Sequence, residues 1–277
     1  MFRLFHAELY KLKKGKSLYA CAIVTAAFVL LVYGMLFLAD NIQKGNLENG
    51  TGGVIISADG SNPEEISGSI LESFSVTDMM QEVFSSDFLG CILAIFVCIF
   101  VVSEFNSGML KNIVGKGCPR SIIYLAKLSA AVLASFFIAL TGVAAALIFG
   151  RLFLGADTFS AAFWKQLPAY IVLQLFMTAA AASLFAMISE CSRTIAGGIA
   201  IGICCSAFSA LLLNIIDMQF ADSNFIPSML WPLTRMSSFP TGGVTMGYAT
   251  ESILVALFWI LLTTGFGVWH FMKTDIK

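Results

Sequence analysis

The sequence predicts an all-α membrane protein with six transmembrane helices, and two observations lead to that prediction. The chain is strongly apolar: of its 277 residues, 58% are hydrophobic and 12% are charged, which is about half the charged fraction of an average globular domain. The charged residues also lie between long uncharged stretches, most of which reach the roughly 20 residues that a helix needs to cross a bilayer. The six predicted spans are residues 18–39, 88–103, 128–150, 166–189, 194–216 and 252–272.

The spans are predicted to be helices rather than barrel strands, because their apolar residues are continuous and do not alternate with polar ones. The second span is shorter than the others, since it follows Asp87 and precedes Glu104. We expect this helix to tilt little or to end inside a protein vestibule rather than in lipid. The whole chain, residues 1–277, is predicted to form one transmembrane domain.

The charges predict the orientation of the chain. Threading the chain through all six spans places twelve cations and four acids on the face that carries the N-terminus, and four cations and thirteen acids on the opposite face. Lys and Arg are retained on the cytoplasmic side of a membrane. Both termini are therefore expected to be cytoplasmic, in a multi-pass protein of the plasma membrane.

Residues 1–17 are predicted to form an interfacial helix. Phe2, Phe5, Leu9 and Leu12 recur at helical spacing among cations, a pattern typical of a basic amphipathic helix that lies in the headgroup region and attracts anionic lipid. The segment could instead be only a charged flank that sets the topology.

Two loops are predicted to be extracellular, at residues 40–87 and 217–251. In the first, Asn62, Pro63 and Glu65 provide helix-start chemistry for a short acidic helix, which could cover the outer mouth or serve as a structural lid. The second contains three prolines among large apolar residues. We expect short, proline-broken helical pieces there, packed against protein.

Small residues at four-residue spacing predict close helix contacts within the membrane. Gly142, Ala146 and Gly150 repeat in the third span, and Gly198 and Gly202 repeat in the fifth. This spacing lets two helix backbones approach closely. We expect the contacts to be internal rather than a dimer face.

Catalytic motifs are not found in the sequence. No Asp, Glu, Lys or Arg lies in the middle of a predicted span, although proton- or ion-coupled carriers keep such groups for their work. Gly15-Lys16-Ser17 ends like a P-loop, but Tyr10 stands where its first glycine should be, so the chain lacks an ATP-binding motif. We expect no catalytic activity, no metal or cofactor in this chain, and no nucleic-acid partner.

One cytoplasmic loop, residues 104–127, points to a partner. Met109, Leu110, Ile113 and Val114 would share one face of a short helix that ends at Gly115. That apolar face could lie in the bilayer headgroups or in a groove on a soluble partner.

The loop resembles the first cytoplasmic loop of type-2 ABC-transporter permeases, a family that includes permeases of antimicrobial-peptide and toxin-peptide export and immunity. The resemblance is carried by Glu104-Phe-x-x-Gly108-x-x-Lys111, by Pro119-Arg120 and by Lys127. The family usually has Thr after the glycine, where this chain has Met109. The six spans, the basic N-terminal helix and the broken stretch before the last span are also similar.

The resemblance implies a subunit of a bacterial ABC exporter that works with other chains. Its partners would be two P-loop ATPase subunits, which hold ATP and Mg, a second six-span permease copy or paralogue, and membrane lipid. The residues that the resemblance assigns to ATPase coupling are Glu104, Phe105, Gly108, Met109, Leu110, Lys111, Ile113, Val114, Arg120, Glu190 and Arg193.

The cargo is expected to be amphipathic or apolar, such as a peptide or a lipid, because the spans are mostly apolar with scattered polar groups. Those possible pathway-lining residues are Gln174, Thr178, Ser206, Ser209 and Asn214. In transmembrane proteins such side chains also make interhelical hydrogen bonds. Two other functions stay open at this point: a polytopic membrane enzyme, and an ATP-independent channel or assembly protein.

Overall fold

The computed structural model describes residues 2–48, 76–106, 119–153, 161–219, 226–238 and 244–273. In these ranges the chain forms helices and contains no strand. The α-helices, in chain order, are α1 Phe2–Lys14, α2 Lys16–Glu48, α3 Val76–Val83, α4 Cys91–Asn106, α5 Arg120–Phe153, α6 Ala161–Ser192, α7 Ile195–Gln219, α8 Pro232–Ser237 and α9 Met246–Lys273. A π-helical turn, Ser86–Gly90, precedes α4, and a 3₁₀ turn, Pro227–Leu230, precedes α8.

Six helices in the described ranges are long and apolar enough to cross a membrane, which confirms the predicted fold class. They are Lys16–Ile42, Met80–Ser103, Arg120–Phe153, Phe163–Ser192, Ile195–Gln219 and Met246–Lys273. The second begins well before the predicted residue 88. Its first part consists of the end of α3 and the π-helical turn, which are separated by Ser85 in an extended conformation. Glu82 and Asp87, in this part, are exposed.

The second and fourth crossings form the centre of the bundle. Leu89, Leu93 and Phe96 on the second and Phe185 on the fourth are fully buried. Helix α6 packs against α9, α4, α5 and α7, so it is the element that the others surround. By contrast, α2, α7 and α9 leave most of their apolar side chains exposed, as expected of helices that face lipid or another subunit.

Helices α4 and α7 cross closely because small residues face each other along both. An added Cβ at Gly202 would lie 2.8 Å from the Cβ of Ala94, and one at Gly198 would lie 3.2 Å from Cys98 Sγ. One turn further along, Gly90 faces Ser206, and an added Cβ at Gly90 would lie 3.2 Å from the Cβ of Ser206. We call these three pairs the small-residue ladder. The predicted internal role of Gly198 and Gly202 is confirmed.

A second close contact joins the first and third crossings. A Cβ at Gly142 would lie 2.8 Å from Val83 and 3.1 Å from Thr25. The Tyr33 hydroxyl donates a hydrogen bond of 3.1 Å to the backbone oxygen of Ala146. The small residues of the third crossing therefore also pack within the subunit, as predicted.

The N-terminal helix α1 packs its apolar side on α5, with Leu12 buried and Leu4 and Leu9 against the core. This packing removes the leucines from water, which is favourable. The predicted position of α1 in the headgroup region stays a prediction. The predicted acidic helix at residues 62–74 lies outside the described residues.

Candidate partner-docking site

The predicted coupling segment is flanked by two well-defined helix ends. Helix α4 ends at Asn106, with Glu104 and Phe105 in its last turn, and α5 begins at Arg120. Pro119 directly precedes α5, as expected of a residue that starts a helix without needing its own N–H. Six of the predicted coupling residues lie outside the described residues: Gly108, Met109, Leu110, Lys111, Ile113 and Val114.

Lys127 ties the two flanking helices together. Its side chain is only 3% exposed, and Nζ donates a hydrogen bond of 3.3 Å to the backbone oxygen of Val101 on α4. A buried ammonium group needs such partners, since burying an unpaired charge is very costly. The loop 104–127 is thus closed at its base by a contact between its two supporting helices.

The start of α5 is also fixed to the end of α9. Arg120 donates a hydrogen bond of 3.3 Å to the backbone oxygen of Met272. One turn later, Tyr124 lies against Gly267, where an added Cβ would overlap the tyrosine hydroxyl. A side chain at position 267 would therefore push the two helices apart. Three helices, α4, α5 and α9, are connected at this end of the bundle.

The turn between α6 and α7 separates two residues that were predicted to act alike. Arg193 is exposed and adopts a positive φ of 53°, which is uncommon for a residue other than glycine. Glu190 is only 3% exposed and interacts electrostatically with Tyr124. Of the two, Arg193 lies where a docked subunit could reach it, whereas Glu190 contributes to the packing beneath.

Helix α1 adds another buried carboxylate to the same end. Glu8 is 2% exposed and forms an ion pair of 3.2 Å with Lys11. Glu8, Lys127 and Glu190 thus place three buried ionisable side chains on three different helices. Sequence reasoning missed Glu8, Tyr124 and Gly267, because only their long-range packing partners give them importance.

At the other end of the bundle, Arg235 organises the short helices that precede α9. This residue lies on α8 and is 5% exposed. Its guanidinium donates to Ser252 Oγ at 2.8 Å, Glu251 Oε2 at 3.1 Å, Met229 O at 3.3 Å and Tyr248 O at 3.5 Å, and it lies 4.9 Å from the centre of the Tyr248 ring. One buried cation therefore holds the 3₁₀ turn and α8 against the start of α9.

Further hydrogen bonds attach the same short helices to the long ones. Trp259 on α9 donates to Leu230 O at 2.8 Å, and Asp217 on α7 accepts from the Ser228 N–H at 3.0 Å. Proline-broken helical pieces packed against protein were predicted here, and the 3₁₀ turn and α8 have that form. The role of Arg235 was missed, although a single cation in an apolar, proline-rich loop indicates a buried, hydrogen-bonded side chain.

The possible pathway-lining residues do not share one surface of the subunit. Gln174 is buried and donates to Met236 O at 3.0 Å, and the buried Thr178 hydroxyl donates to Gln174 O at 2.7 Å. Ser206 is buried in the small-residue ladder. Ser209 is half-buried and Asn214 is exposed, both on α7. Only the last two are accessible in a single subunit, and a role in a pathway stays a prediction for all five.

Metal-site geometry is not found in the described ranges: no group of three or more His, Cys, Asp or Glu side chains could hold a metal ion. Several of the buried polar side chains described above, namely Lys127, Gln174 and Arg235, make hydrogen bonds that join helices. The arrangement is suited to transmitting movement and holding helices in register.

The sequence was compared with models of protein families and with curated proteins. A family model described as ABC-2 family transporter protein matches residues 4–209. The matched range includes α1, the loop 104–127 and the turn between α6 and α7, and it ends within α7. No curated protein matches the chain significantly.

Proposed function

The chain belongs to the ABC-2 transporter family, and from that premise we propose that it is the six-span permease of an ATP-driven exporter. Membership makes the chain a multi-pass membrane component of an ABC transporter, with a transport role rather than a catalytic one, and it implies an ATPase partner. The proposal adds the docking site, the number of subunits, the direction of transport and the cargo.

The docking site that we propose is the loop 104–127. The observation that carries it is the hydrogen bond between Lys127 and Val101 at the base of the loop. A force applied to a segment between two unconnected helices would bend only the segment. Because the two helices are joined at their ends, and α5 is joined to α9 through Arg120, displacement of the loop would move three helices together.

The energy for this movement would come from the ATPase partner. Inverting an equilibrium from 1:99 to 99:1 needs about 5.5 kcal/mol of differential binding. Two ATPase subunits that close on ATP and Mg are suited to supply it through two coupling loops. The permease itself then acts as a passive, two-state helix bundle.

Two permease chains would form the transport pathway. Helix α7 supports this, since it exposes Phe208, Leu211 and Leu212 together with the polar Asn214. A second copy or a paralogue packed on this face would give Ser209 and Asn214 a protein environment. Lipid is the alternative occupant, and the mass of the purified complex distinguishes the two.

The proposed cargo is amphipathic or apolar, such as a peptide or a lipid. The accessible faces of α2, α7 and α9 are dominated by large apolar side chains. Among the described residues, the buried ionisable side chains, such as Glu8, Lys127, Glu190 and Arg235, lie outside the middle of the six crossing helices. A small ion would need charged or carbonyl groups deep in the membrane, so the apolar walls favour an apolar cargo.

Charged substitutions in the loop test the docking proposal. We expect Gly108→Arg with Leu110→Glu to abolish co-purification of the ATPase with the tagged chain and to abolish transport, because the apolar face could no longer seat in a groove. The matched control is Gly52→Arg with Val54→Glu, the same changes at the same spacing in the predicted outer loop. Full ATPase yield and unchanged transport in the loop variant would show that the ATPase docks elsewhere.

A further inference from the structure

Glu82 is an exposed carboxylate that borders an apolar cleft beside the first crossing helix. The residue lies near the end of α3, and no ion pair joins it to another described residue. The sequence alone placed it in an outer loop, because it precedes the predicted second span. In the structure it lines a shallow cleft together with Phe28, Val29, Val32, Tyr33 and Val83.

The neighbours of Glu82 place it within the depth of the bilayer. Phe28 lies at the centre of the predicted first span, 18–39. Val83, the residue after Glu82, lies 2.8 Å from the position of an added Cβ at Gly142. Gly142 is about 5 Å along its helix from the centre of the predicted third span, at 1.5 Å per residue. Both neighbouring helices thus put Glu82 deep in a hydrocarbon core that is about 30 Å thick.

A carboxylate at this depth requires a partner other than hydrocarbon. Ionisable side chains within the membrane are costly, and they face the protein interior, a water-filled cavity or a substrate pathway. Glu82 is exposed on the described surface of this subunit. Its surroundings must therefore include something polar that this subunit does not supply, and a carboxylate favours a cation.

The rest of the cleft is apolar. The Phe28 ring stacks on Phe88 with their centres 3.7 Å apart, and the Tyr33 hydroxyl already donates to the backbone oxygen of Ala146 at 3.1 Å. The other lining side chains are valines. The cleft thus offers hydrocarbon and aromatic carbon beside a single carboxylate.

This combination favours one class of ligand. A metal ion would need several oxygen ligands. An extended peptide would bring backbone N–H and C=O groups that the cleft cannot pair, which is costly in an apolar environment. A phospholipid would bring a phosphate, which the carboxylate repels. An organic cation, with one charged centre on an apolar body, matches both the carboxylate and the apolar walls.

We propose that Glu82 and the cleft beside Phe28 and Tyr33 form a binding site for an amphipathic organic cation. The Glu82 carboxylate attracts the charged centre, and the apolar body packs in the cleft. In the proposed exporter this cation is the cargo, and Glu82 selects it over neutral and anionic molecules of the same shape. Only that assignment as cargo rests on the proposed function, since binding is a property of this chain alone.

Binding of tetraphenylphosphonium to the purified chain tests the site without any ATPase. This probe is a permanent cation on four phenyl groups and has no hydrogen-bond donor. The chain is placed in phosphatidylcholine nanodiscs, and bound radiolabelled probe is measured by equilibrium dialysis, with empty nanodiscs subtracted. We expect saturable binding that Glu82→Gln weakens about tenfold, because attraction between opposite charges is stronger where water is excluded.

Two variants provide matched controls. Asp87→Asn removes another exposed carboxylate from the same part of the chain and should bind the probe as the wild type does. Glu82→Asp keeps the negative charge and should retain most of the affinity, which a purely steric role of the side chain would not predict.

The wild-type chain gives a second measurement that does not depend on the folding of any variant. Tetraphenylborate has the shape of tetraphenylphosphonium and the opposite charge. We expect it to show no saturable binding beyond that of empty nanodiscs.

Four outcomes would overturn the proposal. They are cation binding that does not saturate, equal affinity in the wild type and in folded Glu82→Gln, saturable binding of tetraphenylborate with similar affinity, and cation binding that is lost when two copies of the chain associate. The last outcome would assign the cleft to a contact between copies. Failure of the exporter proposal would leave saturable binding intact, whereas failure of the cation site would leave co-purification of the ATPase intact.

Discussion

The two ends of the helix bundle hold their helices together differently. At the end that carries the loop 104–127, single contacts join pairs of long helices: Lys127 with Val101, Arg120 with Met272, and Tyr124 with Gly267. At the end that carries α8, one residue, Arg235, makes most of the connections. Pairwise contacts between long helices let the joined helices move together as one unit, whereas a dense network around one cation holds several short segments in a single arrangement.

This difference suggests a division of labour within a permease. Under the proposed function, the end with pairwise contacts would receive movement from the partner, and the Arg235 network would keep the short helices in place. Arg235 should consequently matter mainly for stability, and Lys127 mainly for coupling.

The largest effect on stability is expected at Arg235. Replacing it with Leu removes its hydrogen bonds to Ser252 and to two backbone oxygens and its ion pair with Glu251. We expect the variant to lose about 3 kcal/mol of stability, because hydrogen bonds to charged groups contribute about 1.5–3 kcal/mol each. Thermal unfolding in detergent measures the loss.

The matched control for Arg235 is Arg151→Leu, which removes an exposed cation from the end of α5 and should change the melting temperature little. If both variants melted at the same temperature, the network would not be the main connection at that end.

An intermediate effect is expected at Gly267. Alanine there overlaps Tyr124 and forces α5 and α9 apart, and overpacking of this kind typically costs about 1–3 kcal/mol. The control lies two residues earlier in the same helix: at Gly265 an added Cβ meets nothing within 4 Å. Gly265→Ala should be neutral or stabilising, by up to about 1 kcal/mol, since alanine favours helices over glycine.

A double variant sharpens this test. Gly267→Ala combined with Tyr124→Leu should recover part of the lost stability, because the smaller side chain frees the space. Additive losses would show that Tyr124 and Gly267 are not in contact.

The smallest stability effect, with the largest effect on coupling, is expected at Lys127. Lys127→Met keeps the length and apolar stem of the side chain but removes the hydrogen bond to Val101. A bond from a charged donor contributes about 1.5–3 kcal/mol, but methionine also removes the cost of burying the ammonium group, so the net loss should be on the order of 1 kcal/mol. Transport by the reconstituted complex should fall much more than the melting temperature, since the two helices below the loop are no longer joined. Lys165→Met, at an exposed position on α6, is the control.

The distinction between the two ends would be wrong if Lys127→Met lowered the melting temperature as much as Arg235→Leu. It would also be wrong if the folded Lys127→Met variant kept full transport.

Hydropathy was sufficient to predict the six crossing helices, because a helix in lipid must satisfy its own backbone and present apolar side chains. It was less reliable at the start of the second crossing, where the end of α3 and the π-helical turn, with the exposed Glu82 and Asp87, precede α4. The periodicity of α1 correctly showed an amphipathic helix. It could not show which environment receives the apolar side, since protein and lipid interiors favour the same residues.

The candidate site was predictable only in part. The resemblance located the loop 104–127, whose last part, from Arg120, is the start of α5. Helical spacing identified Gly198 and Gly202 as contact residues, but their partners Cys98 and Ala94 depend on how α4 and α7 align in three dimensions. Gly267 carries no such local pattern, and its importance follows from Tyr124, which lies far away in sequence.

The small-residue ladder has a repeating geometry with a mechanical consequence. Gly90, Ala94 and Cys98 face Ser206, Gly202 and Gly198 in order, with one helical turn, about 5.4 Å, between successive pairs. A displacement of α4 along α7 by one turn would bring Ala94 opposite Ser206 and Cys98 opposite Gly202. Small residues would again face each other at both positions. Larger side chains at these positions would prevent such a displacement.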